Sequence, residues 1–372
     1  MDLLINFSQF MIYILLILTV YRLRIVPSWI ALYLAFLGTS PFWFNGFLFP
    51  PEYMPDQFKY LNVIQSVRNV SNTPDVSSNV FYSGWIMAFI PIPFVYNVIG
   101  VAFINKFIFL ILFLWLYKKK YLSGVPLFFI LFYPDLIMYS SLALRDILIL
   151  TFMIIGTVLL VQKRYIFALI MFLPLLLIKF QNFALMMILW IMSIAFMREK
   201  FIKSKHSILY FSMFFLVVLS IFILLAPYVI EPLDFYRGAM SAEDGNRPED
   251  YVSLSGTGEL LTLGLTSSIY FLLKPFFFEA ANALQLVQSF LNIGVFVFLA
   301  WFTVKCYKIN KFKTLFWLSF LMFSMIIYGL VVVNFGTAAR YRFPFVVLYV
   351  IAIGVDVYQN RVIKSRQLKV KI

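Results

Sequence analysis

Apolar runs long enough to cross a bilayer follow one another along almost the whole chain, and that pattern makes lipid the solvent in which it folds. The runs fall at roughly 3–21, 28–48, 97–117, 125–144, 147–161, 165–178, 183–197, 207–230, 283–304, 314–333 and 343–358. A helix of about 20 apolar residues spans ~30 Å of hydrocarbon, and the shorter runs here reach that length by drawing polar residues to the membrane edge. A soluble core has no room for a chain that is 63% hydrophobic and 12% charged. Lipid solvates such side chains directly. A spanning segment must satisfy its own backbone, and these runs lack the alternation of a barrel strand. The expected fold is therefore all-α and polytopic, with about ten or eleven transmembrane helices in a single membrane domain over residues 1–372.

The charges orient that fold. Basic clusters stand at every second junction: Arg22/Arg24, Lys118 to Lys120, Lys163/Arg164, Arg198 to Lys205, Lys305 to Lys313, and Arg361 to Lys371. Threading the runs places all of them on one side, which thereby holds 20 of the 30 Lys and Arg with only Glu199 and Asp356 as acids. The positive-inside rule makes that side cytoplasmic, with the N-terminus outside, the C-terminus inside and a basic cytoplasmic tail at 359–372. The chain opens on Asp2 with no basic region before its first run, so residues 3–21 read as a spanning helix and not as a cleaved signal. A formal charge of +14 suggests nucleic acid in a soluble protein, but this distribution assigns it to the membrane surface instead.

Two outer loops are expected, 49–80 and 231–258, the second carrying the run from Glu243 to Asp250 and serving either as a lid or as a solvated connection. Residues 81–117 and 259–304 are each too long for one crossing and carry polar punctuation at Pro91, Pro93 and Asn97, and at Lys274, Pro275 and Glu279. Their first halves read as helices that lie on or dip into the outer face.

With one cysteine, Cys306, and one histidine, His206, the chain has no disulfide framework and no thiolate or histidine metal cluster to offer. No metal and no cofactor is expected, and the chemistry falls to carboxylates, Arg, Lys, amides and hydroxyls. Charges at the outer membrane edge are the informative ones, because burying them is costly unless they face a cavity or each other. Arg145 and Asp146 end one helix and begin the next, which suits an anion site or equally a local cap. Arg340 and Arg342, two residues apart beside a glycine-containing turn, are placed to grip a phosphate from two sides. Lys179 interrupts an apolar stretch, Lys274 and Glu279 flank an aromatic cluster, and Asp56 is the best acid of the first outer loop. Such a set fits a lipid-linked phosphate or pyrophosphate whose tail lies in the bilayer.

Asp56 with Tyr60, the step Leu144-Arg145-Asp146, the stretch Leu273 to Glu279 and the late Arg340-Tyr341-Arg342-Phe343-Pro344 occur in that order. Together they resemble the Wzy-type oligosaccharide repeat-unit polymerases of bacterial surface polysaccharides, including the EpsG-like branch, over about residues 50–350. Lys274-Pro275 stands where that family has Arg-Pro. The resemblance implies a GT-C-like fold in the bacterial inner membrane and transfer of a growing glycan from undecaprenyl pyrophosphate to a new lipid-linked repeat unit (O-antigen, capsule or exopolysaccharide). It implies pyrophosphate or glycan contacts by Arg340, Arg342, Lys179, Lys274, Tyr60 and Tyr341, with Arg145 and Asp146 beside them and Asp56 or Glu279 as base. A chain-length regulator is the protein partner it implies, and nucleic acid is not a partner.

Three rivals differ in sequence. An O-antigen ligase uses an outer-face histidine, whereas His206 lies on the basic side. A glycosyltransferase using a polyprenyl-phosphate sugar often has paired acids in its first outer loop, where this chain has Glu52 and Asp56 apart. A flippase or transporter needs charges at mid-membrane, and here only Lys106 stands there.

Overall fold

The computed structural model describes residues 2–72, 74–202, 204–243, 253–254, 256–280, 282–332 and 335–359. Among the described residues every regular element is helical. The helices form two compact units, Met1–Trp190 and Ile191–Ile372.

The first unit holds α1 (Asp2–Arg22), α2 (Ser28–Leu37), the short α3 (Ser40–Phe42), α4 (Asp56–Arg68), α5 (Ser78–Ala88) and α6 (Val98–Lys118). It continues with α7 (Val125–Phe132), α8 (Pro134–Tyr139), α9 (Asp146–Val161), α10 (Tyr165–Ile178) and the greater part of α11 (Phe180–Phe196). α6 is its central helix and packs against α1, α3, α4 and α9, while α9 lies along α10 and α4 along α5. The second unit holds α12 (Glu199–Ile202), α13 (Ser207–Glu243), α14 (Thr257–Leu273), α15 (Ala283–Tyr307), α16 (Lys311–Val331) and α17 (Phe335–Ile353). There α16 packs against α13, α14, α15 and α17.

Six described helices are long and apolar enough to cross a membrane, and four shorter apolar helices accompany them. The protein is thus a polytopic helical membrane protein. Within the six, burial separates the centre from the periphery: 72% of the apolar window of α6 and 83% of that of α17 are buried, against 6% for α13 and 17% for α15. An apolar surface as large as that of α13 is stable against lipid and costly against water.

The breaks lie where the polar punctuation foretells them. α5 stops at Ala88, and Asn97 opens α6 by accepting from the N–H of Gly100 at 3.0 Å. α14 stops at Leu273, and Asn282 opens α15 by accepting from the N–H of Gln285 at 2.9 Å. Elsewhere the structure corrects the boundaries. The run 28–48 is not one helix: α2 ends at Leu37, and Gly46 turns the chain with φ +127°. The run 125–144 is cut at Pro134, because proline lacks an N–H and holds Tyr133 extended. The stretch 49–80, expected as a loop, contains α4 and the start of α5, so much of it is helical. The loop 231–258 begins as a continuation of α13 to Glu243; residues 244–252 lie outside the described residues, as do 360–372 of the basic tail.

Basic residues finish several helices. Arg24, Lys120 and Lys163 take the left-handed conformation just past α1, α6 and α9, with φ of 54°, 61° and 64°. The next N–H in each case bonds five residues back, as from Tyr121 to the carbonyl of Leu116 at 2.8 Å. A cation there faces the negative end of the helix dipole, so these basic clusters also stop helices.

Candidate functional site

Residues 140–145 form an irregular turn between α8 and α9, and Ser140 to Leu144 are all buried. Backbone outside a helix survives in a membrane protein only when other groups satisfy it. Here three side chains from other elements do so, and a fourth, Lys106, ties down the hydroxyls of the turn. Asn45 donates to the carbonyls of Ser141 and Pro41 at 2.7 and 2.8 Å. Asn105 donates to the carbonyls of Leu142 and Leu144. The amide oxygen of Gln57 accepts from the N–H of Ala143 at 2.7 Å. Lys106, with no exposed surface, donates to the hydroxyls of Ser140 and Ser141, each at 3.0 Å, and both hydroxyls donate in turn to the carbonyl of Ile137.

This turn delivers Arg145 and Asp146. Arg145 donates to the carbonyl of Ile178 at 2.8 Å, closing the C-terminal end of α10 immediately before Lys179. Asp146 is the first residue of α9 and is buried, and Lys179 is 8% exposed. Asp56 opens α4 and pairs with Lys59 at 2.9 Å, while Tyr60 lies buried one turn on. Gln57 therefore ties the start of α4 to the turn that leads to Arg145, through a bond between residues 86 apart in the chain.

In the second unit, Lys274 and Glu279 bracket the break before α15 and pair at 3.3 Å, each 29% exposed. The ammonium also lies 4.6 Å from the ring centroid of Tyr270, and Glu279 accepts from the N–H of Phe276 at 3.2 Å. Phe277 and Phe278 project outward beside the pair.

No family model, no curated protein and no solved structure matches this chain. Its local geometry must carry the interpretation.

That geometry separates Arg340 from Arg342. Both stand inside α17, where positions two apart diverge by roughly 200°. Arg340 is half-buried with its guanidinium 5.9 Å from the ring centroid of Tyr341, which itself leans on Tyr328. Arg342 is 1% exposed. It donates to the carbonyls of Phe271 and Leu272 at 3.0 and 2.7 Å and to the amide oxygen of Asn292 at 2.6 Å. Asn292 takes the next two carbonyls, those of Leu273 at 3.4 Å and Lys274 at 2.8 Å. The expectation of two guanidiniums gripping one phosphate rests on a turn at Gly336, but helix α17 already starts at Phe335.

Arg68 repeats the device: it donates to the carbonyls of Ala88, the last residue of α5, and of Ile90 and Ile92 beyond it. Three arginines thus close three interrupted helices, a use that sequence patterning does not disclose. Asn45, Gln57, Asn105 and Asn292 also escape a reading based on charges. The visible signal is the polar pair Asn105-Lys106 inside an otherwise apolar run.

Proposed function

We propose that this chain is a membrane glycosyltransferase that polymerises undecaprenyl-pyrophosphate-linked oligosaccharide repeat units on the outer face of a bacterial inner membrane. What carries the reading is the bond between Gln57 and Ala143, which joins the α4 start beside Asp56 to the turn ending at Arg145-Asp146. Two of the stretches that resemble Wzy-type polymerases are thereby tied to each other by a hydrogen bond. The N-terminus outside, the C-terminus inside and a GT-C-like architecture belong to the same proposal.

The reaction needs little from the protein. An acceptor hydroxyl attacks C1 of the first sugar of the growing glycan, the C1–O bond to pyrophosphate breaks, and undecaprenyl pyrophosphate departs with the electron pair. Cations that stabilise the developing charge and a carboxylate that takes the hydroxyl proton suffice. In the first unit Arg145 and Lys179 are the cations, Asp56 is the base, Asp146 follows Arg145 at the start of α9 and Tyr60 supports the glycan. In the second unit Lys274 and Arg340 are the cations, Glu279 is the other candidate base, and Tyr341 contacts the glycan. Arg342 acts as a positioning residue that fixes the α14 end next to Lys274.

The test is reconstitution. The purified chain in vesicles, given lipid-linked repeat units extracted from the native host, is expected to build a ladder of longer glycans, and Arg145→Ala and Arg340→Ala to shorten or abolish it. Vesicles in which both variants insert normally and still build the full ladder would sink the residue assignment.

One observation favours a second reading, a flippase for lipid-linked glycans: Lys106 is wholly buried within a spanning helix and beside an interrupted one. Movement of labelled lipid-linked units across the vesicle wall, without polymer, is the outcome that selects it.

A further inference from the structure

The geometry points to Gln57 as a positioning residue for the reaction, the link that holds Asp56 in register with Arg145. This rests on the transferase reading above.

Gln57 is 1% exposed on the first turn of α4, and its amide oxygen lies 2.7 Å from the N–H of Ala143. Three other side chains also hold the turn, but Asn105 and Lys106 come from α6 and Asn45 from the segment after α3. Gln57 supplies a hydrogen bond from α4 to this turn, and it stands next to Asp56 in the chain. Ala143 is two residues before Arg145, and both flanking leucines are buried. A change at Gln57 is therefore felt at once by the carboxylate on one side and by the guanidinium on the other.

The chemistry explains why this link matters to rate more than to binding. In-line attack demands that the base and the charge-stabilising cation keep a fixed separation, and a misplacement of about 1 Å costs on the order of 100-fold in rate. Gln57 itself is assigned no contact with substrate, so affinity is expected to survive. Removing the acceptor also strands a buried N–H, which loosens the turn where Gln57 touches it.

The experiment uses the full chain in vesicles with lipid-linked repeat units extracted from the native host. Gln57→Met keeps length and volume but removes the acceptor, and Gln57→Glu keeps an acceptor oxygen. The expected result is a kcat at least ~10-fold lower for Gln57→Met with KM changed less than ~2-fold, and recovery of most of the loss in Gln57→Glu. Hydrogen exchange supplies a readout independent of activity, with faster exchange at residues 142–144 in Gln57→Met alone. If wild type polymerises and Gln57→Met keeps its kcat per folded molecule, the positioning role is overturned by itself. If wild type forms no polymer at all, the transferase reading falls and the role of Gln57 in it falls with it.

Discussion

Arg342 reaches from α17 to the carbonyl of Leu272, 2.7 Å away, and closes the end of a helix 70 residues earlier in the chain. The last carbonyls of a helix have no partner within it, and in a membrane they have no water either. A buried guanidinium supplies donors and a positive charge at the negative end of the dipole. Arg342→Met is expected to destabilise the protein by about 3 kcal/mol, since it strands the carbonyls of Phe271 and Leu272 together with the Asn292 amide. Arg342→Lys restores only part of this, because an ammonium lacks the planar fork. Thermal unfolding in detergent checks both.

Close helix packing predicts a contrast between two glycines. A Cβ at Gly329 would lie 2.5 Å from the backbone oxygen of Ser267, which cannot swing aside, whereas a Cβ at Gly294 meets nothing within 4 Å. Gly329→Ala is expected to lower stability by roughly 1–3 kcal/mol through overpacking of α16 on α14. Gly294→Ala, in the exposed α15, is expected to be neutral or to raise stability by about 0.5–1 kcal/mol. The difference in melting temperature between the two variants is the measurement.

The pair of Lys274 and Glu279 separates stability from activity. At 29% exposure each, the ion pair contributes about 1 kcal/mol or less to folding. Lys274→Met and Glu279→Gln are therefore expected to melt near the wild type. Both are nonetheless expected to shorten the glycan ladder if this break serves the reaction. Melting curves and ladders from the same membranes decide the matter, and ladders of full length would remove these two residues from the site.

Lys106 discriminates between the two functional readings. The hydroxyls of Ser140 and Ser141 already donate to Ile137, so Lys106→Met strands no donor of theirs. An apolar side chain of similar volume at a buried charged position is often neutral or stabilising. The polymerase account expects a folded variant with normal chain length. A folded variant that blocks appearance of lipid-linked units on the outer face would favour the flippase.

Much of the helical framework was legible because lipid makes its demand on every residue of a run. The breaks before α6 and α15 were legible too, from Pro91, Pro93 and Asn97 and from Lys274, Pro275 and Glu279, whereas the cap at Asn282, set between two alanines, was not. The turn at 140–145 was not. Its residues Ser-Ser-Leu-Ala-Leu read as more apolar helix, and only Asn45, Gln57 and Asn105, brought from distant elements, make the irregular backbone tolerable. Arg340 and Arg342 misled by proximity, because a pair two residues apart faces one way only if the chain between them is not helical. Lys106 stood out as the lone charge in its run, yet its serine partners lie 34 and 35 residues further on and carry no mark of their role.

The central claim, polymerisation of lipid-linked repeats, is tested most directly by deleting the gene in its native host and running the extracted surface glycan on a gel. The account predicts loss of the long ladder while a band of a single repeat persists on its lipid anchor. Loss of every repeat with lipid-linked units accumulating inside, or unchanged chain length with one sugar missing, would contradict it.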